Sequence, residues 1–247
     1  MKTVKIKGLT IGSGRPKICV PIVAKDVSDA IIQAEKIETC DLVEIRGDYI
    51  DNYNNVEYVI ELIKNVKKII DKPVIFTFRT GNEGGERNVR ISAYVNILKS
   101  IIKSKEADFV DVELFSGDGY VGDIIKCAKE YGIFVIISNH DFASTPSEKE
   151  LINRLNKMQE LGADIAKIAM MPKNMSDVYR VMAVTSDINL DIPVISMSMG
   201  KMGMISRIAG ELYGSSVTFG CAHAASAPGQ LNASDLSDIL GIIHKQN

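Results

Sequence analysis

From end to end the chain alternates between two textures. Short apolar or β-branched runs are each followed by a longer segment whose apolar residues fall three and four apart, with Lys and Glu between them. The short runs cover 18–23, 42–46, 74–79, 109–113, 133–139, 164–169, 194–197 and 217–219. These are eight strand-like units spaced roughly 30 residues apart, close to the ~31 per unit of a (β/α)8 barrel. Helices are expected over 27–37, 56–70, 89–102, 121–131, 147–161, 175–185, 202–212 and 233–243. Ser147 followed by Glu150 has the capping-box spacing. Gly132 and Gly162 mark helix ends, and Pro73 and Pro193 precede strands. An open doubly wound sheet also alternates strand and helix, but eight units favour closure. The expected fold is therefore an α/β (β/α)8 TIM barrel over residues 1–247 as one domain. The segment from Val4 to Thr10 is an extra hairpin placed across the bottom.

Composition narrows the function classes. The 247 residues carry 29 Lys+Arg against 31 Asp+Glu, which lacks the basic excess of a general nucleic-acid binder. No apolar run approaches the roughly 18–20 residues that span a bilayer, and MKTVKIKGLT has no signal-peptide core, so a cytoplasmic protein is expected. The cysteines at 19, 40, 127 and 221 form no C-x-x-C pair, and there are only three histidines. That spacing suits reduced thiols and argues against a metal site.

Strands of a parallel barrel are buried on both faces, and active sites lie at their carboxyl ends. Polar residues there need a reason. They are Glu44 and Arg46, Arg79, Asp111 and Glu113, Asn139-His140-Asp141, and Lys167. Lys167 interrupts the apolar run from Ala163 to Met171. A lysine that loses hydration tends toward the neutral amine, which is a nucleophile for a ketone. It could equally snorkel to solvent or pair with a carboxylate such as Glu113. His140 ends its strand and is either a proton shuttle or a ring bonded to a carbonyl. The Gly-rich stretch from Arg79 to Arg87 lacks the Lys-Ser/Thr ending of a phosphate loop. It offers Glu83 or Glu86 as a carboxylate that orients a catalytic His, or is simply a solvated loop. Arg207, after the seventh strand, is a surface charge or a carboxylate clamp. Ser226 and Gln230, around Pro228-Gly229, form a turn or bind a hydroxylated ligand. Gly229 is a candidate hinge for closure over the site.

Seven short motifs run in order along the chain: Glu44-Ile45-Arg46-Gly47-Asp48; Phe76-Thr77-Phe78-Arg79-Thr80 with Glu83-Gly84-Gly85; Asp111-Val112-Glu113-Leu114; Ser138-Asn139-His140-Asp141-Phe142; Ala166-Lys167-Ile168-Ala169; Met197-Ser198-Met199-Gly200 with Ser206-Arg207; and Ser226-Ala227-Pro228-Gly229-Gln230. In this the chain resembles the type I 3-dehydroquinate dehydratases. Ile45 departs from the aromatic residue common there, and Pro21 from a ligand-facing Ser. The resemblance implies a homodimeric enzyme that needs no cofactor and dehydrates 3-dehydroquinate to 3-dehydroshikimate. It implies Lys167 as the Schiff-base nucleophile, His140 as the acid and base, and Glu83 as the group that orients His140. It also implies Arg207 on the substrate carboxylate, with Glu44, Arg46, Arg79, Ser226 and Gln230 binding the ring. The enzyme alternative is a Schiff-base aldolase or transaldolase on the same barrel.

Overall fold

The computed structural model describes residues 3–222 and 227–245. Strands β1 (Val4–Ile6) and β2 (Leu9–Ile11) pair antiparallel through a turn at Lys7 and Gly8, whose φ angles of 45° and 77° suit a tight primed turn. Then follow β3 (Lys17–Ile22), α1 (Val27–Glu35), β4 (Leu42–Arg46), α2 (Val56–Ile69), β5 (Val74–Thr77), α3 (Ile91–Ser104), β6 (Phe109–Glu113) and α4 (Asp118–Tyr131). The second half holds β7 (Phe134–Asp141), α5 (Glu148–Leu161), β8 (Ile165–Met170), α6 (Met175–Asp187) and β9 (Val194–Ser198). It ends with α7 (Met204–Ile208), α8 (Gly210–Tyr213), β10 (Val217–Cys221), β11 (Leu231–Asn232) and α9 (Ala233–His244).

The larger sheet is parallel throughout, in the order β11-β10-β3-β4-β5-β6-β7-β8-β9. Its two flanks approach one another at a bridge between Val194 and Ser215, where Ser216 N donates to Val194 O at 2.8 Å.

Local chemistry explains most element ends. Asp26, Asn55 and Asn174 cap α1, α2 and α6 with side-chain oxygens. Ser147 caps α5 by accepting from Glu150 N, but only half of the expected capping box forms, because the Glu150 carboxylate accepts from Arg154 Nε at 2.7 Å. Gly132 and Gly162 end α4 and α5 at φ 73° and 96°. The helix expected over 202–212 is two short ones. Gly210, the first residue of α8, packs so close to Pro16 that a Cβ there would sit 2.9 Å from Pro16 Cγ. Strand β11 has two residues, too few for periodicity to reveal.

Alternation along each strand sorts side chains into two layers. In β8, Ala166, Ile168 and Met170 pack outward among the helices, whereas Ile165 and Ala169 face inward. The inward side has an apolar floor. Leu42, Ile75, Phe109, Ile136, Ile165 and Ile195 meet Val4 and Ile11 of the hairpin there. Two residues further along the strands, the inward positions become Glu44, Thr77, Asp111, Ser138 and Lys167, all buried.

Candidate active site

Lys167 reaches its surroundings from the third residue of β8. Its Nζ lies 3.2 Å from Asp111 Oδ2, 3.6 Å from Glu44 Oε1 and 4.6 Å from the centre of the Phe219 ring. Its immediate neighbours Ala166 and Ile168 face the helices, and the inward lysine meets carboxylates from β4 and β6. The pairing with Glu113 does not form, because Glu113 is occupied by Arg79 Nη1 at 3.1 Å and by both Thr80 N and Thr80 Oγ1 at 2.8 Å.

Glu83, not Glu86, is the carboxylate beside the histidine. Its Oε2 accepts from His140 N at 2.8 Å and lies 3.0 Å from His140 Nδ1, while Oε1 accepts from Asn139 Nδ2 at 3.0 Å. Arg154 Nη1 in turn donates to Asn139 Oδ1 at 2.7 Å. With Nδ1–H turned to Glu83, Nε2 carries the free lone pair. Burial, reinforced by the positive charges of Arg79 and Lys167, holds the His140 imidazolium well below its usual pKa, so the ring is a neutral proton acceptor. Burial raises the Glu83 carboxyl to about 7 against the opposing pull of Arg79.

Arg79 is the hub of the acidic groups. It donates to Asp111 Oδ1 at 2.6 Å and Ser138 Oγ at 3.2 Å besides Glu113, and lies 3.5 Å from Glu83. Arg46 is forked onto Asp48 at 2.9 and 2.8 Å and lies over the Tyr49 ring. Asp48 also accepts from the backbone N of Arg79 and Glu86, pinning the 79–87 loop at both ends.

Arg207 is different. It is only 1% exposed, its Nη2 donates to Pro228 O at 3.1 Å, and its Nε has no hydrogen-bond partner. Among the described residues no carboxylate lies within ion-pair distance, and burial lowers its pKa to about 10. It is a buried cation in want of an anion.

One cavity of about 50 Å³ brings these groups together. Its wall includes Glu44, Arg46, Arg79, Glu83, His140, Lys167, Arg207, Phe219 and Gln230. Ser226, expected beside them, lies outside the described residues. Asp111, Asp48, Asn139 and Arg154 complete the arrangement without a role assigned from sequence. Asp111, Asn139 and Arg154 each act through a partner on a distant element, which a linear reading does not pair, and Asp48 joins Arg46 to the 79–87 loop. An amine, a neutral imidazole held by a carboxylate, and an unmatched guanidinium can together add to a carbonyl, move protons and hold an anion.

Parallel α/β enzymes with polar side chains converging at the carboxyl ends of the strands form a broad class, and this fold and site place the chain within it. The family model "Type I 3-dehydroquinase" matches residues 18–247. The 3-dehydroquinate dehydratase of Clostridium novyi (strain NT) is 45% identical over 251 residues, covering 99% of each chain. A crystal structure of the Clostridium difficile type I enzyme with covalent modified comenic acid superposes with a TM-score of 0.96 at 42% identity, covering 100% of this chain and 99% of that one. The Geobacillus kaustophilus 3-dehydroquinate dehydratase gives 0.96 at 33% identity, covering 99% and 97%. The chain belongs to the type I 3-dehydroquinase family.

Proposed function

We propose that this protein dehydrates 3-dehydroquinate to 3-dehydroshikimate through a lysine Schiff base. The observation that carries the reading is that Lys167, His140 and the unmatched Arg207 line one cavity. Arg207 takes the substrate carboxylate, satisfying its open Nε. Lys167 adds to the C3 ketone and, with loss of water, forms an iminium that acidifies the C2–H. His140, neutral and held by Glu83, removes that proton and returns one to the departing C1 hydroxyl. Hydrolysis of the product imine restores the amine. Glu44, Arg46, Arg79 and Gln230 on the wall bind the ring oxygens, Arg79 while also tying the acidic groups together. Ser226 joins this set from the resemblance alone.

The scaffold we infer is a closed (β/α)8 barrel, a single catalytic domain over 1–247. The Val194–Ser215 bridge supports closure between the flanks. The packing of Val4 and Ile11 against inward residues of six strands supports the hairpin as its floor. A homodimer in the cytoplasm and a reaction without cofactor follow the family resemblance.

The test mixes protein with 3-dehydroquinate and follows the conjugated enone in the ultraviolet, with intact mass after borohydride. Product formation and an adduct on the peptide holding Lys167 are expected, and both vanish in Lys167→Ala. Cleavage of a sugar phosphate with no enone would instead indicate an aldolase.

A further inference from the structure

Asp111 is 1% exposed in the middle of β6 and has three partners. Its Oδ2 lies 3.2 Å from Lys167 Nζ, and its Oδ1 accepts from Arg79 Nη2 and from Ser138 Oγ, both at 2.6 Å. It lies behind Lys167, buried, and is not among the residues that line the cavity. We propose that Asp111 is the fixed counter-ion of that nitrogen throughout the reaction, first of the ammonium and then of the iminium. This rests on the lysine chemistry proposed above.

Charge conservation is the reason. An ammonium and a ketone give an iminium and water. The nitrogen–carbon bond forms and the carbon–oxygen bond breaks. The carbonyl oxygen leaves as water with two of the nitrogen's protons, and the single positive charge stays on nitrogen. One immobile carboxylate therefore serves both states without rearrangement, which is electrostatic preorganisation in its simplest form. The cation must also persist chemically. The electron pair of the broken C2–H bond flows onto a positively charged nitrogen far more readily than onto a neutral imine.

The groups facing this nitrogen are Asp111 from β6 and Glu44 from β4 in direct contact, with Cys19 from β3 and His140 from β7 close enough to feel its charge; Arg79 and Glu113 pair with each other one step away. Burial works against charge on Asp111, but Arg79 and Lys167 outweigh it and hold the carboxyl well below the usual aspartate range. Glu44 is farther, sits on the cavity wall and is bonded to Thr77 Oγ1 at 2.8 Å, so substrate hydroxyls compete for it. Burial holds the Cys19 thiol well above its usual pKa, and it supplies no anion.

The test is Asp111→Asn in the full chain, which keeps shape and removes charge. Cyanoborohydride trapping with 3-dehydroquinate is read by intact mass from about pH 5 to about pH 9, across the window where an imine nitrogen titrates. Reduction needs the cationic iminium. The variant is expected to trap only toward acid, its midpoint at least about one pH unit below wild type, with kcat reduced roughly 100-fold. Binding of quinate, the 3-hydroxy analogue that cannot form an imine, stays within about twofold if the pocket is intact. A wild-type trapping midpoint in Asp111→Asn overturns the proposal. Should Asp111→Asn fail to bind quinate, Asp111→Glu decides: a wild-type midpoint supports a charge role, and an acid-shifted one overturns it. Absence of any adduct in the wild-type protein would instead sink the lysine chemistry itself.

Discussion

His140 and Glu83 are joined twice, through the imidazole Nδ1 and through the His140 backbone N–H. The backbone bond survives any substitution of the ring. His140→Ala therefore removes the proton carrier while leaving Glu83 anchored, and turnover should fall roughly 10³-fold while the borohydride adduct still accumulates. Quenched-flow mass spectrometry distinguishes this stalled imine from a loss of binding. Retention of wild-type turnover would remove His140 from the mechanism. Glu83 adds a pH-dependent stability. Its folded pKa of about 7 lies above the unfolded carboxylate value. Between roughly pH 4.5 and 7 the folded state therefore holds a proton that the unfolded state has lost, and stability falls as pH rises through this window, by about 3 kcal/mol at most. Asp111 acts with the opposite sign, since its depressed pKa contributes stability above the ordinary aspartate range that is lost only in strong acid. The Tm difference between Glu83→Gln and wild type should drift in favour of the variant across that window. A pH-independent difference contradicts it. Lys167 and His140 were legible in sequence because each is polar inside or at the end of an apolar run. Asp111 and Asn139 were legible as polar strand residues in the same way, but what they bond to was not, since pairing across strands depends on register rather than spacing.

At the scale of elements, Ala227 and Gln230 line the cavity that holds Lys167 and Arg207. Pro228 O accepts from Gly200 N and from Arg207 Nη2, both at 3.1 Å. Gly229 has φ 79°, and a Cβ there would lie 2.3 Å from Gly200 O. Gly229→Ala therefore cannot seat against the β9–α7 loop, and it should raise KM about tenfold or more with a smaller change in kcat. Steady-state kinetics reads the split, and an unchanged KM would mean that this turn does not close over the substrate. The turn itself was visible as Pro228-Gly229. Its contact with Gly200 was not, because the two turns are far apart in sequence and meet only in the folded chain. The break between α7 and α8 was not visible either, although Gly210 beside it packs against Pro16 from the far end of the chain.

At the scale of the molecule, stability and chemistry occupy successive layers of the same strands. Ile11 is fully buried among the floor residues and touches none of the reacting groups. Ile11→Ala should lower unfolding free energy by about 2–5 kcal/mol with KM unchanged, measured by urea denaturation and kinetics together. A destabilisation below ~1 kcal/mol would show that the hairpin is not part of the cooperative core. Eight of the nine strands of the larger sheet and the burial of both its faces followed from the alternation of textures, whereas the polar layer above the floor emerges only when strands are laid side by side. Inward and outward side chains differ by one position, so their assignment is a reading frame. Inserting one residue before Lys167 in β8 would send its amine among the helices and bring Ile168 into the cavity. Such a site is free to change by substitution and by lengthening its loops, but its strands admit no odd-numbered insertion.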